Sequence, residues 1–194
     1  MDGITMGSSV LFGLNTRYSV ATERTTWAAP EVLIGSTPDV GALHHLKQLP
    51  ANIGKMLALT GMKVRGEEVV TLGLATHFCH SNHLPELHTQ LDKAGEDEVE
   101  DILNVFQEKS KYDRQKEDMK ANKLKSIGEN YFDSDNMDAI VTKLENDNCS
   151  TQLSQLAWAA PLSLKTTCRL YSEISSSSYD QALLQSYKVQ LSSK

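Results

Sequence analysis

The chain has 194 residues, which at roughly 150 residues per domain means one domain or one with an appendage. Hydrophobic residues make up 40% and charged residues 23%, a globular balance that excludes disordered, collagen-like and coiled-coil compositions. Twenty-five acidic residues against 19 basic ones leave a net charge of −6, which repels a phosphate backbone and an anionic membrane surface alike and argues against nucleic acid or membrane as partners.

The opening places the Asp2-Gly3 turn and the small residues Gly7, Ser8 and Ser9 ahead of an apolar segment. Nothing precedes them for either to pack against, so an upstream segment is expected. Residues 7–14 read as the start of a buried helix with Ser8 or Ser9 near its cap. Residues 17–22 and 25–28, rich in β-branched and aromatic side chains, read as short strands. A helix over 40–49 stops at Pro50, and another over 51–60 stops at Gly61. A third runs over 66–73, and 75–79 reads as a strand. Strands alternating with helices indicate α/β architecture.

After residue 92 the pattern becomes helical. Val99, Ile102, Leu103 and Phe106 recur at i, i+3, i+4 and i+7, and 137–144, 151–159, 162–174 and 179–191 read as helices. Residues 175–178 form a serine linker in which Ser178, or Asp180 beyond it, caps the last helix. The expected organisation is therefore an α/β core over 1–92 and a helical region over 93–194.

Few residue clusters suggest chemistry. The acidic run Glu96, Asp97, Glu98, Glu100 and Asp101 invites a metal, but a first helical turn favours acids in any case, and a solvated face is the simpler reading. His77, Cys79, His80 and His83 are crowded enough for zinc, yet an extended segment points His77 and Cys79 one way and His80 the other. No metal site is expected. The remaining cysteines, Cys149 and Cys168, give no C-x-x-C spacing, so a reducing compartment is the simplest reading. Trp158, with Leu153, Leu156 and Leu162, reads as core. No apolar stretch reaches the roughly 18 residues of a membrane span.

The informative stretch is 28–41, in which Glu31 follows Pro30, and Asp39 sits between Pro38 and Gly41. Acids in apolar surroundings become proton carriers near neutral pH. On spacing alone, an acid after proline is as readily a helix-start charge.

Several segments carry a family resemblance: residues 1–9, Val20-Ala21-Thr22-Glu23, Pro30-Glu31 with Ile34-Gly35, Pro38-Asp39-Val40-Gly41, Leu57-Ala58-Leu59-Thr60-Gly61 and Gly73-Leu74-Ala75-Thr76-His77-Phe78. Together they resemble the crotonase (enoyl-CoA hydratase/isomerase) superfamily, and within it the 3-hydroxyisobutyryl-CoA hydrolase branch. Pro161-Leu162-Ser163-Leu164-Lys165 is similar to that family's Ser-Pro-x-Ser-Leu-Lys helix start, and Tyr187-Lys188-Val189 to its Glu-Tyr-Arg-Leu segment. The resemblance implies a partial ββα spiral core followed by a helical region. It places about a hundred family residues before Met1, with one oxyanion amide and much of the coenzyme A pocket, and a further segment after the Tyr187 region.

The roles follow from the resemblance, residue by residue. Glu31 matches the acid that acts on water or on the thioester carbon, and Asp39 matches the aspartate that binds the substrate hydroxyl. The Ser8 amide, in a motif that here reads Gly7-Ser8-Ser9 in place of three glycines, matches an oxyanion donor. Leu11 stands where hydratases carry a second glutamate, which favours hydrolysis over hydration. His44-His45 departs from the aromatic residues usual there. The implied protein is a mitochondrial enzyme of valine breakdown with no cofactor beyond the CoA of its substrate; the competing reading is a non-catalytic relative or a structural subunit. The chain alone is expected to be nearly inactive, with exposed sheet edges that favour self-association.

Overall fold

The computed structural model describes residues 1–110, 114–174 and 178–192. Among these, the strands are β1 (Ile4–Met6), β2 (Val20–Ala21), β3 (Thr26–Ala28), β4 (Val64–Arg65) and β5 (His77–Phe78). The α-helices are α1 (Val10–Leu14), α2 (Ala42–Leu46), α3 (Ile53–Thr60), α4 (Glu68–Thr71), α5 (Leu84–Leu91), α6 (Val99–Lys109), α7 (Arg114–Tyr131), α8 (Met137–Asn146), α9 (Ser150–Ala157), α10 (Pro161–Glu173) and α11 (Tyr179–Ser192). Short 3-10 segments at Gly7–Ser9 and Glu31–Ile34 carry the candidate site. Contacts divide the chain into two compact units, Met1–Thr5 with Phe12–Trp27 and Val64–Ala121, and Met6–Leu11 with Ala28–Lys63 and Asn122–Lys194. Each unit draws on both the 1–92 and the 93–194 stretches.

In the first unit, β2 and β5 pair in parallel, Val20 with His77 and Ala21 with Phe78. The Ser19 amide donates to the Thr76 hydroxyl at 2.8 Å, and that hydroxyl donates back to the Ser19 carbonyl at 2.8 Å, which fixes the register. Strand β3 lies between β1 and β4, running antiparallel to β4 with Trp27 opposite Val64. The stripe read at 99, 102, 103 and 106 is the inner face of α6: Leu103 and Phe106 are buried with Cys79 and Leu87, and Val99 and Ile102 pack at the edge. The acidic run 96–101 is exposed around the start of that helix.

In the second unit every residue of α3 is buried, and the helix ends at Gly61 in a left-handed turn. Around it gather Phe132, Ile140, Leu144, Leu156, Leu164 and Cys168, with Leu124, Ile127 and Tyr131 at the margin. Full burial of such side chains is worth about 1.5–3 kcal/mol each, so this cluster anchors the helical layer. Val32, from the Glu31–Ile34 turn, belongs to it.

Trp158 is the clear correction: it is 82% exposed. Helix α9 directs Leu156 and the following Ala159 inward. Position 158 falls two residues past Leu156, about 200° around a 3.6-residue turn and on the opposite face. Leu162 is exposed as well. Two helices carry no clear sequence signal, α5 and the strongly polar α7. The helix over 66–73 shortens to Glu68–Thr71, and that over 40–49 to Ala42–Leu46. Of the serine linker, 175–177 lie outside the described residues; Ser178 caps α11, its hydroxyl accepting from the Gln181 amide at 3.4 Å while its own amide donates to Gln181 Oε1 at 3.0 Å.

Candidate functional site

Gly7, Ser8, Glu31 and Asp39 all lie in the second unit. Gly7 opens its 3-10 turn at φ +59°, a left-handed conformation that favours glycine. A Cβ built there would stand 3.7 Å from Glu31 Oε1, so the Gly7 backbone runs beside the carboxylate. The next residue, Ser8, is exposed and reaches Asp39, its hydroxyl donating to Oδ1 at 3.4 Å. Ser9 turns back to the chain, accepting from the Met6 amide at 2.8 Å.

Glu31 begins its turn directly after Pro30, whose carbonyl accepts the Leu33 amide at 2.9 Å. The turn closes at Gly35, and the Glu31 carbonyl accepts the Ser36 amide at 2.9 Å. Its side chain is only 8% exposed, and Oε2 finds no hydrogen-bond partner among the described residues. Burial pushes the carboxyl up from its ordinary 4.5 to about 7; the Asp39 charge adds to the rise and the Glu31 backbone amide opposes it. A desolvated acid with a free oxygen, poised near neutrality, is a group built to exchange protons.

Asp39 sits on a constrained loop. Val40 holds φ +49°, unusual for a β-branched residue, and Gly41 holds φ +81°. Gly41 also lies close under α11: a Cβ there would meet the Tyr179 ring at 2.6 Å and displace it. From α11, the Tyr179 hydroxyl donates to the Val40 carbonyl at 3.4 Å, and the ring packs against His44 and His45 with centroids 5.6 Å apart. Three turns further along the same face of α11, Gln190 Nε2 donates to Asp39 Oδ2 at 3.0 Å. The structure thus brings Gly7 beside Glu31 and Ser8 beside Asp39, and it adds Gln190 and Tyr179, which the sequence did not suggest. The Asp39 loop and α11 are linked only through tertiary packing, and an isolated glutamine carries no signal.

The histidines read as zinc candidates lie in the first unit with other partners: His80 Nδ1 is 3.2 Å from Glu23 Oε2, and His83 Nδ1 is 3.3 Å from the Ser110 hydroxyl. Among the described residues no three His, Cys, Asp or Glu side chains are grouped to hold a metal ion.

Comparison with known proteins identifies the family of the chain. The enoyl-CoA hydratase/isomerase family model matches residues 1–193. A mitochondrial 3-hydroxyisobutyryl-CoA hydrolase of Gallus gallus is 35% identical over 97% of this chain and 50% of its own length. The small ribosomal subunit protein mS47 of Arabidopsis thaliana is also 35% identical, over 98% of this chain and 48% of its own. The chain thus spans about half the length of the curated relatives it matches. A carnitinyl-CoA dehydratase from Mycobacterium thermoresistibile superposes with a TM-score of 0.87 at 25% identity, covering 100% of this chain and 55% of that one.

Proposed function

The chain belongs to the enoyl-CoA hydratase/isomerase family, and on that footing we propose that it is a mitochondrial hydrolase of 3-hydroxyisobutyryl-CoA, the thioester named in its Gallus gallus relative. Glu31 takes a proton from water, and the water oxygen bonds to the thioester carbon. Negative charge moves to the carbonyl oxygen, where the Ser8 backbone N–H stabilises it, as preorganised amides do for tetrahedral intermediates. Collapse breaks the C–S bond, and the departing CoA sulfur takes the proton from Glu31. Asp39, positioned by Gln190, accepts the hydrogen bond of the substrate hydroxyl. CoA enters as part of the substrate, and the reaction uses no further cofactor.

The observation that carries this reading is the Glu31 carboxyl, buried, with one oxygen unpartnered among the described residues and its pKa raised to about 7. A group that gains and loses its proton near neutrality serves both halves of the reaction. In an active form of the protein, Glu31→Gln is expected to lower CoA release from 3-hydroxyisobutyryl-CoA, followed by free-thiol detection, by about 10²- to 10⁴-fold with binding of the ester nearly unchanged. Unchanged turnover removes Glu31 from the mechanism.

A second reading, a structural subunit of a mitochondrial assembly, is favoured by one observation, the equal 35% identity to mS47. Under it, no form of the protein releases CoA, and Glu31→Gln changes nothing but stability.

A further inference from the structure

Helix α11 wears its amphipathic pattern inside out. The side chains it buries in the second unit are small: Ala182, and Ser186, whose hydroxyl donates to the Ala182 carbonyl at 2.9 Å and so is satisfied within the helix. Its large aliphatic and aromatic side chains point the other way. Leu184, Tyr187 and Leu191 are 52%, 59% and 53% exposed, and their i, i+3, i+7 spacing sets them on one stripe. A helix that packed only against its own unit would turn that stripe inward. Single exposed apolar residues need no explanation, but an aligned row of them marks a contact surface.

The charges on the same face select the occupant. Asp180 and Lys188 are exposed and stand four positions before and four positions after Leu184, so both share its side of the helix. When two copies of α11 lie antiparallel and cross at Leu184, Asp180 of each copy falls opposite Lys188 of the other. The contact then holds two pairs of opposite charge around a leucine and tyrosine centre. A parallel arrangement sets Asp180 against Asp180 and Lys188 against Lys188. The face is therefore complementary to itself in one orientation, which is the condition for a two-fold interface. A membrane surface suits it poorly, since helices that lie on membranes are rich in Lys and Arg and α11 carries Lys188 alone.

We propose that the outer face of α11 binds a second copy of this chain, the two helices packing antiparallel about a two-fold axis at Leu184. Gln190, which holds Asp39, lies off this face, so the contact does not compete with the brace on the Asp39 loop. One helix face is a small interface, below the roughly 1,200 Å² of a standard stable complex. The dimer accordingly forms and dissociates in the micromolar range, and its population follows protein concentration.

Sedimentation equilibrium of the 194-residue chain over about 10–500 µM, the range a small interface calls for, is expected to show monomer and dimer in exchange. Leu184→Glu is expected to weaken association by about tenfold or more. Asp180→Lys and Lys188→Asp are each expected to weaken it about fivefold, because either change turns both charge pairs into like-charge pairs. An equimolar mixture of these two variants is expected to associate as tightly as the unsubstituted chain, since one copy then offers only lysines and the other only aspartates. All three positions are exposed, and far-UV circular dichroism with thermal melting checks that each variant keeps its fold. A chain that stays monomeric throughout, one that grows past the dimer, or an affinity that Leu184→Glu leaves unchanged overturns the interface. A mixture that associates no better than its components overturns the antiparallel arrangement. None of these failures touches the Glu31 reading, which is tested by CoA release.

Discussion

Glu23 and Glu31 stand eight positions apart in the chain and illustrate two opposite fates of a carboxylate. Burial by itself raises the pKa of both. Around Glu23, in the first unit, donors outweigh burial: the Ser81 hydroxyl, the Ser81 amide at 2.9 Å, its own amide and His80 converge on it, and its pKa falls to about 2. Around Glu31, in the second unit, donors are scarce, Oε2 has no partner among the described residues, and the pKa rises to about 7. Glu23 is a third exposed and Glu31 only 8%, so depth and the supply of donors act together to separate an acid tied into the fold from one whose proton affinity is raised.

The largest test of that contrast is thermodynamic. The native state keeps the Glu31 proton between pH 4.5 and about 7, where an unfolded glutamate has lost it, so stability falls as pH rises through this window and the cost is complete above it. A shift from 4.5 to about 7 corresponds to about 3 kcal/mol. Urea denaturation is therefore expected to find Glu31→Gln more stable than the unsubstituted chain by up to about 3 kcal/mol at pH 8 and indistinguishable from it near pH 4. Parallel curves at both pH values would show that burial does not set the Glu31 proton affinity.

A smaller effect is expected at Asp39. Asp39→Asn removes the acceptor charge that Ser8 and Gln190 now address. Loss on 3-hydroxyisobutyryl-CoA is expected to exceed loss on isobutyryl-CoA by about tenfold, or about 1.4 kcal/mol, with Gln190→Leu reproducing part of that discrimination through KM. Equal losses on the two esters assign Asp39 to the support of its own loop.

The smallest effect concerns Glu23, whose lowered pKa contributes stability that is present above pH 4.5 and lost as pH falls towards 2. Its side chain is a third exposed, so after solvent screening Glu23→Gln is expected to cost about 1 kcal/mol at pH 7 and nothing at pH 2. A melting temperature that drops equally at both pH values argues for lost packing instead of lost charge.

What the sequence made legible follows from the range of each interaction. Periodicity exposed the α6 stripe because Leu103 and Phe106 sit on a regular face with one partner. Motif resemblance reached Glu31 and Asp39, since their loops carry proline and glycine at fixed offsets. Helix α7 stayed hidden because its composition is mostly polar and its contribution to the core is confined to a few positions such as Leu124 and Ile127. Trp158 misled because aromatic size suggests burial, whereas the phase of α9 decides it. Gln190 was invisible because its role is defined only by the loop it touches.

Gln190 and Asp39 are separated by 151 positions, which carries a consequence for biosynthesis. Chains emerge N-terminus first at about 5–20 residues per second, so roughly 8 to 30 s pass between the appearance of the aspartate and that of the side chain which orients it. Over that interval the Ser8 and Glu31 segments are already available to fold, while the Asp39 loop, with Val40 and Gly41 in left-handed conformations, lacks its brace. Docking of α11 is therefore the event that braces the Asp39 loop, and a nascent chain carries the aspartate long before it carries the side chain that holds it.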